Sequence, residues 1–115
     1  MGRIFYGTSG EAIEIEDGLL AHVQTVAITK LRRGESFCVS WMSARGRGRE
    51  TVWVQPSIPI RFVTDEDAVG GLDRDLLTRL MDAANSHHGL DLSSEPSPGR
   101  ELVSDATQGS LSRAA

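Results

Sequence analysis

Arg45, Arg47 and Arg49 alternate with Gly46 and Gly48 in a stretch, Ser43 to Glu50, that holds no large apolar residue. Guanidinium groups match phosphate oxygens in geometry as well as in charge. Three of them on a glycine-interrupted tip could follow a nucleic-acid backbone, with an affinity that falls as salt rises. A polar turn that resists aggregation accounts for the same residues equally well. Lys30, Arg32 and Arg33 form a second basic group, which reads either as a phosphate contact or as charge compensating a helix C-terminus. Arg61 joins the nucleic-acid candidates if the fold brings it to the others.

The remaining chemistry-bearing residues are sparse. Trp41 shares the parity of Phe37 and Val39 and is expected in the core. Trp53 has the parity opposite to Val52 and Val54, so it is the candidate for an exposed aromatic or a subunit interface. His87 and His88 are adjacent and would point apart on a helix, with no third ligand nearby. His22 falls one residue off an apolar stripe and reads as a boundary residue. Asp65, Glu66 and Asp67 lack the spacing of a calcium loop. Cys38, the lone cysteine, has no basic neighbour in sequence that would activate a thiolate. No phosphate-cradling glycine loop, Ser/His/Asp order or metal spacing occurs. Catalysis is the least supported class, and no catalytic residue, cofactor or metal is expected.

Positioning these side chains falls to short elements. Asp17 reads as an N-cap, followed by Leu19, Val23, Val26, Ala27 and Lys30/Leu31 at helical spacing, with Leu20 widening the stripe. Gly34 reads as the left-handed stop. Phe37, Val39 and Trp41 then alternate with Ser36, Cys38 and Ser40, the pattern of a half-buried strand. Thr51 to Gln55 is a second strand, making a hairpin whose tip carries the arginines. Before the helix, Arg3 to Gly7 and Ala12 to Glu16 read as an opening hairpin. After Pro56, Ile58, Ile60 and Phe62 alternate to about Thr64, with Pro59 implying an edge or a bulge. Asp73 caps a second helix with Leu76, Leu77, Leu80, Met81 and Ala84 on one stripe and a Leu72–Leu77 staple. Leu90 to Leu92 adds a short extended piece. The order β-β-α-β-β-β-α implies an α+β fold: a two-layer, mainly antiparallel sheet with two helices on one face. The domain is expected over residues 1–92, with a disordered polar tail at 93–115.

Composition sets outer bounds. The chain has 115 residues, 39% hydrophobic and 24% charged, enough for one small core. No apolar run approaches the roughly 20 residues of a membrane span, and no secretory leader is visible, so a cytoplasmic location without membrane contact is expected. The net charge is −4, split into +2 over residues 1–62 and −6 over 63–115.

Several runs carry a family resemblance: Asp17-Gly18-Leu19-Leu20-Ala21-His22-Val23-Gln24, Lys30-Leu31-Arg32-Arg33-Gly34-Glu35-Ser36-Phe37, Trp41, Val52 to Ile60, Phe62, and Ala84-Asn85-Ser86 before Gly89-Leu90. In these the chain resembles a small domain of unknown function found in actinobacteria and their phages, over roughly residues 1–92. Members often carry the label "ATP-dependent DNA ligase". The resemblance would make the chain at most an accessory fragment related to such a ligase. A ligase nucleophile needs Lys-x-Asp-Gly, whereas Lys30, the single lysine, precedes Leu31-Arg32-Arg33. The reading that follows is a small non-catalytic binding module. Its partner is nucleic acid through Arg32, Arg33, Arg45, Arg47, Arg49 and Arg61, or else a second copy or another protein through Trp53.

Overall fold

A computed structural model describes residues 1–8, 11–43, 48–65 and 71–93. The elements are β1 (Gly2–Tyr6), β2 (Ala12–Ile15), α1 (Asp17–Arg32), β3 (Phe37–Met42), β4 (Arg49–Val54), β5 (Ile60–Val63), α2 (Arg74–Ala84) and β6 (Leu90–Asp91). The fold is α+β and mostly antiparallel, as the element order implied.

The sheet arrangement differs from the expectation. The strands form two sheets of three, ordered β2-β1-β5 and β4-β3-β6, rather than one. Among the described residues, only the β3–β6 pair is parallel. The linker between β4 and β5 explains the division. Pro56 and Pro59 have no N–H to give a ladder, so the β4 strand cannot continue through them. The chain turns instead, with the Ile58 N–H donating to the Gln55 carbonyl. Extended structure resumes at Ile60, two residues later than the alternation suggested, and pairs with β1.

Alternation then decides the interior. Ile4, Tyr6, Ile13, Ile60 and Phe62 of the first sheet meet Phe37, Val39, Val52 and Val54 of the second, together with Val23 and Ala27 of α1. The free space among them is about 10 Å³, near the least that one water occupies. Among these residues the interior is packed. Because the inner faces look toward one another, the outer faces of the two sheets look away from each other. Tyr6 ties the sheets at one end: its hydroxyl donates to the Trp53 carbonyl at 2.6 Å and accepts the Gln55 N–H at 3.2 Å.

The first helix is capped by Glu16, not Asp17: the Glu16 carboxylate accepts from the N–H groups of Gly18 and Leu19 at 2.9 and 3.0 Å. Asp17 is the first helical residue, and its carboxylate lies 3.6 Å from the Met1 amine. Gly34 ends the helix at φ 73°, a conformation that costs residues with a Cβ. On the second helix Asp73 caps as expected, accepting from Asp75 and Leu76 N–H groups. Leu76, Leu80 and Ala84 are buried. Leu72 stays 47% exposed, so the expected staple does not bury it. Gly89, at φ 72°, lets β6 approach β3 so closely that a Cβ there would lie 2.4 Å from the Cys38 carbonyl oxygen.

Candidate functional site

The nominated arginines that the structure describes occupy three places. Arg49 opens β4 at the Met42 end of the hairpin. Arg32 and Arg33 are exposed at the C-terminal end of α1, where the chain leads into the opposite end of β3. The six residues of β4 separate those ends by roughly 17 Å at about 3.3 Å per residue. Arg61 lies on the outer face of the first sheet, opposite Phe5 in register. Arg45 and Arg47, like Glu66, Asp67 and the chain beyond Ser93, lie outside the described residues.

Arg49 is engaged. Its guanidinium donates to Ser40 Oγ at 2.8 Å and pairs with Asp91 at 2.8 Å, reaching across β3 to β6. The Ser93 N–H and hydroxyl both donate to the same Asp91 carboxylate. Burial pushes the Asp91 carboxyl up, but the hydrogen bonds from Ser93 and Arg49 together draw it below the ordinary aspartate value. This network closes the root of the hairpin and covers Ser40, which is buried. On the first sheet, the hydrogen bond from Arg3 likewise draws Asp65 below its ordinary value.

The outer face of the second sheet is built by parity. Register places Cys38 beside Trp53, Ser40 beside Thr51 and Met42 beside Arg49. Trp53 is 56% exposed and Met42 51%, two of the five large apolar side chains that the fold leaves open among the described residues. The backbone beneath Trp53 is held from both sides, by β3 and by the Tyr6 hydroxyl. Trp41, on the inner face, packs partly buried against the core.

Two residues depart from the sequence reading. His22 is not a boundary residue; it is 2% exposed. The Asp73 N–H donates to its Nε2 at 2.8 Å, so Nδ1 carries the proton and donates to the Gly18 carbonyl at 2.7 Å. Lys30 is not part of an exposed basic end; it is 5% exposed and its Nζ donates to Asn85 and pairs with Glu35 at 3.2 Å. Both link α1 to α2, at 22–73 and 30–85, so the helices run side by side in the same direction. Their partners at the ends of α2 lie more than fifty residues away, beyond any local periodicity; the one available signal was the presence of polar residues on or beside an apolar stripe.

Among the described residues, no group of three or more His, Cys, Asp or Glu could hold a metal ion. No helix among them is long and apolar enough to cross a membrane. A family model for a domain of unknown function, DUF7882, matches residues 1–95. No curated protein and no solved structure matches the chain. The chain belongs to the DUF7882 family.

Proposed function

We propose that this DUF7882 domain is a non-catalytic binding module that associates with a second copy of itself through the outer face of β3 and β4. The observation that carries this reading is the exposure of Trp53 and Met42 on one strand pair whose backbone is otherwise fixed. Large aromatics and Met are enriched in the centres of protein interfaces and are expensive to leave in water. The face is self-complementary. Trp53 stands at one end and Met42 with Arg49 at the other, on either side of the Ser40–Thr51 row. A two-fold axis through that row sets the Trp53 ring of one copy against the thioether and guanidinium of the other. Because the backbone is already ordered, little entropy is lost on docking. In a Trp41→Phe background the remaining indole reports the contact directly. Its emission should shift to shorter wavelength as protein concentration rises. An unchanged spectrum across that range argues for no contact.

A second reading keeps nucleic acid as the partner, because Arg49 anchors the base of a hairpin whose sequence continues into Arg47 and Arg45. It calls for salt-dependent retention on DNA or RNA that falls when Arg45, Arg47 and Arg49 are changed to Ala. Equal retention of that triple variant removes it. For the ligase-accessory reading, burial of Lys30 beneath Asn85 and Glu35 speaks against an adenylated lysine. Incubation with labelled ATP is expected to leave no label on the protein.

A further inference from the structure

The outer face of the first sheet carries an open groove of about 500 Å³, lined by Phe5, Gly7, Thr8, Pro59, Ile60 and Arg61. The Arg61 Cζ stands 4.4 Å from the Phe5 ring centroid, so the guanidinium is held against the aromatic face. It differs in one respect from the other strand-borne cations. Arg3 meets Asp65 and Arg49 meets Asp91, whereas no carboxylate among the described residues pairs with Arg61. A guanidinium with one face on a ring keeps its in-plane N–H groups for a planar acceptor, which a carboxylate matches with two parallel bonds.

We infer that this groove binds a monocarboxylate with an apolar body, its carboxylate on Arg61 and its body against Phe5 and Pro59. The charge count selects the class: the groove offers one cation, which balances one negative charge and undercompensates a phosphate dianion. The lining selects the rest, since Phe5 and Pro59 favour an apolar body and the exposed Thr8 adds a hydroxyl to the groove. The groove is open, so binding should be weak, in the millimolar range. The site lies on the face turned away from Trp53, and it stands or falls apart from self-association.

Phenylacetate is the probe, titrated into the full-length protein and followed by amide and arginine side-chain NMR shifts. The expected result is saturable shifts at Phe5, Thr8 and Arg61. Phenylacetamide, which has the same shape without the charge, should bind at least about tenfold more weakly, and so should phenylacetate with the Arg61→Gln variant. Arg61 is exposed, so that variant is expected to keep the wild-type spectrum elsewhere, and Arg61→Lys should retain charge yet lose part of the affinity. Absence of saturable shifts, equal binding of the amide, undiminished binding to Arg61→Gln, or tighter binding of phenyl phosphate would each overturn the assignment.

Discussion

The seam between the two helices and the outer face of β3 and β4 invert one another. At the seam, polar side chains are buried: His22 and Lys30 lie among apolar neighbours with their polar atoms satisfied. On the outer face, apolar side chains are open: Trp53 is 56% exposed and Met42 51%. A buried polar group is tolerated only where its hydrogen bonds are made, so the seam residues explain themselves by the bonds they make within the fold. An indole left more than half exposed gains only part of its burial energy from the fold that carries it. The difference separates residues that hold the molecule together from residues available to something outside it. Substitutions should therefore split into those that change stability alone and those that change association alone.

His22→Ala should give the largest stability loss. It strands the Asp73 N–H and leaves a hole beside α2. We expect about 2–4 kcal/mol in chemical denaturation. Retention of wild-type stability would mean that the seam does not join the helices. Next, Lys30→Met keeps the stem and removes the ammonium. Asn85 and Glu35 are both exposed and can turn to water, so the loss should be about 1 kcal/mol. Asp91 gives a smaller, pH-dependent effect. Its folded value lies below the ordinary 3.8, so its contribution is complete above that pH and fades as pH falls through the lower folded value. Asp91→Asn should flatten the acid limb of the stability profile below about pH 4 relative to wild type, and an unaltered limb would remove the Arg49–Asp91 pair from the account. Trp53→Ala should change stability least, within about 0.5 kcal/mol. A large loss there would make the indole structural and erase the contrast.

Which parts of this were legible in the sequence follows the range of each interaction. Gly34, the hairpin of β3 and β4, the cap at Asp73 and the opposite parities of Trp41 and Trp53 are local matters of period and turn chemistry. They could be read directly. The cap at Glu16 was misplaced by one residue because both neighbours are acidic and either can reach the first turn. The split into two sheets depends on β5 returning to β1 across more than fifty residues, which no window of sequence contains. The same distance hid the roles of His22 and Lys30. Of the nominated arginines, the position of Arg61 in its strand was readable, whereas Arg49, expected on the hairpin tip ahead of a strand starting at Thr51, instead opens β4. The engagement of Arg49 with Asp91 and of Arg61 with Phe5 was not readable, since a cation's partner is chosen by strand neighbours on another segment.

Sedimentation equilibrium over a wide concentration range tests the central claim most directly, with wild type and Trp53→Ala run side by side. The account predicts a wild-type average mass that climbs toward twice the 12.5 kDa chain as concentration increases, and a Trp53→Ala protein that stays at the single-chain mass. A wild type that remains a monomer throughout, or a variant that self-associates as strongly as wild type, would contradict it.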